Sequence, residues 1–226
     1  MGISNTFKIS EQNPDTDTKS VKELVYNTEL SILIEDEYIF TKIITISPRY
    51  ILVNELDLDM LIVQSDCYAI PEELPSHGRK PFHWVDASKP MLLAIRLIQQ
   101  HADKAVMSGS MWDWTSSFPI DELGTFTLRN ANLFQSRIAF VKVSRKFHQG
   151  AVFVIFHHEN LMHPLYRIEN HSRHVALKYA QEGQNDCCEY LDCQAQVPFA
   201  WPVQAKPHLL NVRISLFCFS FWEFGG

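Results

Sequence analysis

The stretch PFHWVDASKPMLLAIR (residues 81–96) recurs in modified form as PFAWPVQAKPHLLNVR (residues 198–213), 117 residues later. Eight of the sixteen aligned positions are identical, and they include Trp84 with Trp201 and a Lys-Pro pair that follows each tryptophan. Self-similarity of this length at a fixed separation is the mark of a duplicated structural unit, and it bears on the fold more directly than any single motif.

A second pair of segments lies upstream of these blocks, in the same order. SPRYILVNE contains Tyr50 and Asn54, and HPLYRIENH contains Tyr166 and Asn170, with four residues from tyrosine to asparagine in both. The separation between the two copies is 116 residues here, nearly the same period. Two ordered pairs at one period indicate a tandem repeat.

A weaker third pair, TFKI at Thr6 and TFTL at Thr125, marks where the copies begin. We therefore expect residues 1–124 to form a first repeat, starting near Thr6, and residues 125–226 to form a second, truncated repeat. The second copy has no counterpart of WDWTSSFPIDELG (residues 112–124), which closes the first. An array of repeats normally needs a capping end, and the apolar tail SLFCFSFWEFGG is a poor cap, so we expect a piece of a longer repeat array.

The segments between the loops are short and rich in β-branched and aromatic residues, which is typical of half-buried strands. Those predicted as strands are RYILVN, LDMLIVQ, LLAIRLI, FTLRN, RIAFVKVSRKF, AVFVIFH, YRIEN and VALKYAQ. LLAIRLIQQHADKAVM (residues 92–107) is the best helical candidate, but it begins inside a repeated strand block. The predicted fold class is all-β, built as tandem β-sandwich repeats of which the second is incomplete.

Composition excludes several classes of function. The 226 residues carry a net charge of −6, which argues against a cationic grip on nucleic acid. The longest apolar run, residues 214–224, is shorter than the roughly 20 residues of a membrane-spanning helix. The N-terminal residues lack the layout of a secretory signal, and the five cysteines are odd in number, so we expect a cytosolic chain with reduced thiols.

Asn54 and Asn170 are the most informative candidate site residues. Each ends a strand, and Tyr50 or Tyr166 lies four residues earlier on the same face of that strand. A carboxamide carries donors and an acceptor, so it can imitate a peptide group. One interpretation is a clamp on an irregular turn, and the other is a polar hook for the main chain of a bound peptide.

Trp84 and Trp201 are predicted core anchors of the two repeats, with contact to a ligand as the alternative. The Lys-Pro pairs that follow them are predicted turns entering the next strand, because proline cannot donate to a sheet.

Enzymatic motifs are weak in this sequence. It has no nucleophile elbow, phosphate loop or H-E-x-x-H motif, so no catalytic residue, metal ligand or cofactor is predicted. The rival hypothesis is a metal-dependent hydrolase that uses His157, His158 and Glu159 with Cys187 or Cys188. Adjacent histidines on a strand point to opposite faces, which weighs against it.

The blocks SPRYILVNELDLDMLIVQ, PFHWVDASKPMLLAIRL, WTSSFPIDELG, YRIENHS and VPFAWPVQAKPHLLNVRI together resemble the repeats of the adaptor-binding domain in the vacuolar protein sorting-associated protein 13 family. These are the bridge-like lipid transfer proteins, and the resemblance spans roughly residues 40–215. It implies a non-catalytic array of β-sandwich repeats that binds Pro-x-Pro segments of organelle adaptors. Each such repeat carries a functionally important asparagine, which Asn54 and Asn170 match.

The resemblance thus implies a protein-interaction fragment that acts in membrane contact site targeting and vacuolar protein sorting. The expected partners are organelle adaptor proteins with Pro-x-Pro motifs, with membranes reached only through them and no nucleic acid. The expected location is the cytoplasm, peripheral at organelle membranes or contact sites. The expected site residues are Asn54, Asn170, Tyr50, Tyr166, Trp84 and Trp201. A purely structural repeat spacer, binding nothing, is a further alternative beside the hydrolase.

Overall fold

A computed structural model describes residues 4–11, 22–33, 41–98, 112–132, 137–184 and 188–215. All regular elements in these ranges are β-strands, which confirms the predicted all-β class. Within the same ranges there is no helix long and apolar enough to cross a membrane.

The seventeen strands, in chain order, are β1 (Ser4–Glu11), β2 (Lys22–Leu33), β3 (Thr41–Pro48), β4 (Tyr50–Asn54), β5 (Asp59–Gln64), β6 (Glu72–Leu74), β7 (Arg79–Phe82), β8 (Leu92–Ile98), β9 (Phe118–Pro119), β10 (Gly124–Asn132), β11 (Arg137–His148), β12 (Ala151–His158), β13 (Tyr166–Glu169), β14 (Ala176–Gln181), β15 (Glu189–Leu191), β16 (Gln196–Phe199) and β17 (Leu210–Ser215). Each of the eight segments predicted as strands overlaps one of these. The helical candidate begins with β8, and its residues 99–107 lie outside the described residues.

The chain divides into two compact units, Met1–His158 and Glu159–Gly226. The first unit contains a sheet of order β1-β2-β3, a sheet of order β10-β11-β12-β4-β7 and a sheet of order β6-β5-β8-β9. All neighbouring pairs are antiparallel except β12 with β4, which are parallel. The core of this unit holds side chains from the two larger sheets, as expected when the apolar faces of two sheets pack together.

The second unit contains a two-stranded sheet, β13-β16, and a three-stranded sheet of order β15-β14-β17. Its buried cluster is small, with Tyr179, Leu191 and Phe199 at the centre. Partly buried apolar side chains surround this cluster, and Trp201 is one of them. Among the described residues of the second unit, this cluster buries less apolar surface than the core of the first unit.

Strand pairings of the first unit recur in the second at the period found in the sequence. Tyr50 pairs with Phe82 in β4-β7, and Tyr166 pairs with Phe199 in β13-β16. Likewise β5 pairs with both β6 and β8, and β14 pairs with both β15 and β17, in corresponding registers. The residues of the quoted blocks therefore lie in equivalent strands of the two units.

The expected repeat boundary between residues 124 and 125 falls inside the first compact unit. Strands β10 to β12 belong to that unit because β12 pairs with β4. The division into compact units is set by where contacts between residues are sparse. The repeat boundary is set by where the sequence pattern starts again, and the two need not coincide. The division into repeats 1–124 and 125–226 thus stays a prediction.

Candidate functional site

Asn54 ends β4 with a side chain that is fully buried. Its Nδ2 donates to the carbonyl oxygens of Leu58 at 2.9 Å and Pro75 at 3.0 Å, and more weakly to that of Leu74 at 3.3 Å. Its Oδ1 accepts from the backbone N–H of Leu56 at 3.0 Å. The carboxamide therefore joins the turn after β4 to the end of β6.

Asn170 follows β13 and has the same arrangement in the second unit. Its Nδ2 donates to the carbonyl oxygens of Val175 and Asp192, both at 2.8 Å, and to that of Leu191 at 3.4 Å. Its Oδ1 accepts from the N–H of Ser172 at 3.0 Å. The side chain is buried, as in the first unit.

The donors and the acceptor of both carboxamides are hydrogen-bonded to irregular backbone of their own unit. Buried backbone groups outside a sheet need such partners, because an unmet hydrogen bond costs free energy. This geometry supports the clamp interpretation for Asn54 and Asn170. A peptide could reach either amide only by displacing bonds that close the turn.

Two glutamines have a matching role that sequence reasoning missed. Gln64, at the end of β5, donates from Nε2 to the carbonyl oxygens of Asp86 at 2.7 Å and Pro90 at 3.2 Å. Its Oε1 accepts from the N–H groups of Val85 and Asp86 at 2.9 and 3.0 Å. The side chain thereby closes the loop that runs from Trp84 to β8.

Gln181 repeats this arrangement at the end of β14. Its Nε2 donates to the carbonyl oxygens of Val203 at 2.9 Å and Pro207 at 3.1 Å, and its Oε1 accepts from the N–H of Val203 at 2.9 Å. The signal was present in the sequence, because Gln64 and Gln181 have the same separation as the tryptophan blocks. Both glutamines end a predicted strand, and a polar residue at the end of a strand is common, so neither was singled out.

The predicted aromatic residues come together in each unit. In the first, the ring of Trp84 makes edge contacts with Phe82 at 5.0 Å and Tyr50 at 5.9 Å between centroids. In the second, Trp201 makes edge contacts with Phe199 at 5.0 Å and Tyr166 at 6.0 Å. Trp84 is buried and Trp201 is half-buried, and each packs against the core of its own unit.

The two tyrosines differ in their polar surroundings. The hydroxyl of Tyr50 donates a short hydrogen bond to the carboxylate of Asp121, and it accepts from Arg49 Nε at 2.8 Å. Arg49 also forms an ion pair with Asp121 at 3.0 Å. Burial, followed by the hydrogen bond to Asp121, raises the pKa of Tyr50 to about 12.

The histidines of the rival metal hypothesis contact different carboxylates. His157 Nδ1 lies 2.7 Å from Glu55, and His158 Nε2 lies 3.0 Å from Asp57. Both carboxylates belong to the turn that Asn54 clamps. Within the described ranges, no group of three or more His, Cys, Asp or Glu side chains is placed to hold a metal ion.

The thiols differ from expectation at one position. Cys67 is a free thiol, as expected, but Cys193 is disulfide-bonded. The prediction of reduced thiols throughout is therefore wrong at Cys193. An odd cysteine count excludes full pairing but not a single disulfide, which is why composition alone missed it.

An open groove of about 560 Å³ lies beside the end of β5. The segment from Val63 to Tyr68 lines it together with Lys89, Trp114 and Ser117. Tyr68 is fully exposed, and the guanidinium of Arg96 lies 4.9 Å from the centre of the Trp114 ring. This 63–68 groove thus offers accessible aromatic surface beside one acidic and one basic side chain, Asp66 and Lys89.

The fold and these residues define an all-β domain in which buried amides clamp repeated turns around an aromatic core. The family model for the vacuolar-sorting associated protein 13 adaptor binding domain matches residues 2–207, and the chain belongs to that family. The match begins well before residue 40, where the recognisable motifs start. An adaptor-binding domain is a protein-interaction domain.

Two curated proteins of Dictyostelium discoideum are similar to the chain. Intermembrane lipid transfer protein vps13D is 26% identical over 179 residues, which cover 77% of this chain and 4% of that protein. Intermembrane lipid transfer protein vps13B is 23% identical over 179 residues, covering 76% of this chain and 3% of that protein. The chain therefore spans a small part of the length of the relatives it matches.

Proposed function

We propose that this chain binds short Pro-x-Pro segments of organelle adaptor proteins. The match of the adaptor-binding family model over residues 2–207 carries the proposal. A proline-rich segment is already extended, so it loses little conformational entropy when it docks against aromatic side chains.

The 63–68 groove is the proposed seat for such a segment. Tyr68 and Trp114 supply aromatic surface for proline rings, and the groove is open enough to admit an extended chain. Gln64 also lines the groove, but its amide is committed to the loop after Trp84. Recognition there depends mainly on apolar stacking.

In this proposal Asn54 and Asn170 shape the binding surface without contacting the ligand. Their carboxamides are buried and bonded to their own units, so their effect on binding is indirect. Tyr50, Tyr166, Trp84 and Trp201 act in the same way, as the packing on which the turns rest. The recurrence of all these contacts supports the proposal of two tandem repeats, 1–124 and 125–226.

The wider role follows from the relatives' names. A protein that transfers lipid between membranes must be held at those membranes, and binding to an adaptor on the membrane would hold it there. The chain is accordingly proposed to act in the cytoplasm, peripheral at organelle membranes or contact sites, in vacuolar protein sorting and lipid transport. It reaches membranes through its adaptors.

Titration of a fluorescent Pro-x-Pro peptide into the purified chain tests the proposal. We expect saturable binding, weakened by about 2 kcal/mol in Tyr68→Ala and in Trp114→Ala. Tyr190→Ala is the matched control, because Tyr190 is an exposed tyrosine of the second unit. If the peptide binds saturably and both groove variants bind it equally well, its binding site lies outside the 63–68 groove. If the peptide does not bind at all, the chain is better described as a structural spacer.

The hydrolase alternative has a separate test. Elemental analysis of the purified chain would detect a stoichiometric metal at His157, His158 and Glu159 if one were bound. A metal lost on substitution of His157 and His158 would support that alternative against the binding proposal.

A further inference from the structure

The outward face of the sheet β10-β11-β12-β4-β7 places basic side chains around one aromatic ring. Along β12, Val152 and Val154 are buried in the core, so the residue between them, Phe153, points to the opposite face. Lys146 of β11 is the cross-strand partner of Phe153. From the other side of β12, Arg79 of β7 reaches over with its guanidinium carbon 4.8 Å from the centre of the Phe153 ring.

Neither of these two cations has a counter-charge in the part of the chain that the structure describes. The guanidinium of Arg79 stacks on Phe153 without any hydrogen bond or ion pair to a described residue, and the ammonium of Lys146 has none either. Both side chains are exposed. The ring of His148 lies 6.0 Å from that of Phe153 and brings a third nitrogen-bearing side chain to the same place. The N–H donors of Arg79 and Lys146 are therefore open to a ligand.

The equivalent sheet of the second unit is built differently. The counterpart of Arg79 is Gln196, since each is paired with the residue just before the clamping asparagine of its unit. A cation of that sheet, Arg167, is neutralised by the carboxylate of Glu169 at 2.5 Å. The repeated strand pairing therefore does not require an arginine at residue 79, and a cation on this sheet can be neutralised from within the unit. Arg79 has a role other than stabilising the repeated fold.

Stacking on Phe153 prepares the guanidinium of Arg79 for one kind of ligand. A planar guanidinium binds a carboxylate through two parallel N–H···O hydrogen bonds, which are shorter and stronger than bonds between neutral groups. Because the ring already restricts the Arg79 side chain, less side-chain entropy is lost when a carboxylate binds. Lys146, on the opposite side of the ring, adds a point charge for a neighbouring carboxylate.

The number of cations decides which anionic partner fits this face. Lys142 lies four residues before Lys146 on the same side of β11, and with Arg79 these are the cations of the face that lack an ion pair among the described residues. Binding to an anionic membrane takes clusters of about four to eight lysines and arginines. The net charge of −6 of the whole chain also opposes approach to an anionic bilayer. A short acidic segment carries few enough charges for this face to neutralise.

We propose that the Phe153 face, defined by Arg79, Lys146 and Phe153, binds an acidic segment of a partner protein. Arg79 holds one glutamate or aspartate carboxylate through paired hydrogen bonds, Lys146 binds an adjacent carboxylate, and the Phe153 ring contacts the stems of both acidic side chains. The face belongs to the sheet that contains β4 and β12, whereas the 63–68 groove lies beside β5 in another sheet. This site therefore does not depend on Pro-x-Pro binding.

Fluorescein-labelled hexaglutamate, titrated into the full chain at low salt, is the probe, with labelled hexaglutamine as its uncharged match. We expect saturable binding of hexaglutamate alone. Arg79→Gln should weaken that binding about tenfold or more, because hydrogen bonds to a charged group are lost. Lys146→Gln should weaken it about threefold, as expected for an exposed ion pair. Both side chains are exposed and glutamine occupies the counterpart of residue 79, so both variants keep the fold.

Arg173→Gln is the matched control, because Arg173 is an exposed arginine of the second unit and its loss changes the net charge equally. It should leave hexaglutamate binding unchanged. The proposal is overturned if hexaglutamate does not bind, or if Arg79→Gln weakens binding no more than Arg173→Gln does. Sedimentation with vesicles that contain phosphatidylserine is the second measurement, and we expect the chain to stay in solution. Vesicle binding that is lost in Arg79→Gln would assign the face to a membrane and overturn the acidic segment.

Discussion

At the scale of single residues, Asn54 and Asn170 do the work of a peptide group where the backbone cannot. Each amide has two N–H donors shared among three carbonyl oxygens, and one oxygen bonded to an N–H two residues later. No other uncharged side chain of similar length combines donors and acceptor in this way, except glutamine, which is one methylene longer. The residue type at these positions is therefore set by the turn that it closes.

Substituting Asn54→Ala should destabilise the chain by about 2–4 kcal/mol, because several buried backbone groups lose their partner. The measurement is denaturant unfolding followed by tryptophan fluorescence. Asn211→Ala is the control, since Asn211 is exposed on β17, and its effect should stay within about 0.5 kcal/mol. If Asn54→Ala unfolded like the unsubstituted chain yet lost affinity for a Pro-x-Pro peptide, the residue would be a hook.

The hydroxyl of Tyr50 makes the free energy of unfolding of the first unit decrease at alkaline pH. Its folded pKa of about 12 lies above the value near 10 of an unfolded tyrosine, so the folded state holds the phenol proton more tightly. The contribution is fully present below pH 10 and is lost as pH rises toward 12, with at most about 2–3 kcal/mol involved. The Tyr50→Phe variant should not show this decrease in unfolding free energy between pH 10 and 12.

Urea unfolding at a series of pH values between 8 and 12 measures the contribution of Tyr50 to the unfolding free energy. The difference in unfolding free energy between Tyr50→Phe and the unsubstituted chain should shrink across this range. Tyr166→Phe serves as the control, because Tyr166 is the exposed tyrosine at the equivalent position of the second unit. Parallel profiles for Tyr50→Phe and the unsubstituted chain would contradict the assignment.

At the scale of elements, the sequence predicted strands whose own side chains decide their structure. Strands β5, β8 and β12 are rich in aliphatic or aromatic residues, and a strand with such residues finds a face to bury. The repeated blocks also placed the tryptophan loops and the clamping asparagines. Those features depend on local chemistry that a sequence displays.

Short polar strands were not predicted, because their side chains carry no pattern. Strand β6 has the sequence EEL and β15 has EYL, and both are too short to show a period. They end where Asn54 and Asn170 bind their carbonyl oxygens. Strand β7 contains Pro81, which is tolerated because β7 lies at the edge of its sheet.

At the scale of the whole molecule, the unpredicted feature is the parallel pairing of β12 with β4. Val152 to Phe156 lie beside Tyr50 to Asn54, about a hundred residues earlier in the chain. Nothing in either strand specifies this partner, since both are apolar runs that could pair with many others. This pairing, and not the period of the repeat, sets the end of the first compact unit at His158.

A fragment of residues 1–158 should therefore fold cooperatively, and a fragment of residues 1–124 should not. Strands β10 to β12 supply seven side chains to the core of the first unit: Phe126, Leu128, Val141, Val143, Val152, Val154 and Phe156. Each fully buried apolar side chain contributes about 1.5–3 kcal/mol, so their joint loss is comparable with the whole stability of about 5–15 kcal/mol of a typical domain. Near-ultraviolet circular dichroism and thermal unfolding of the two fragments make the comparison. A 1–124 fragment that melts cooperatively at the temperature of 1–158 would show that the repeat, and not the compact unit, is the unit of folding.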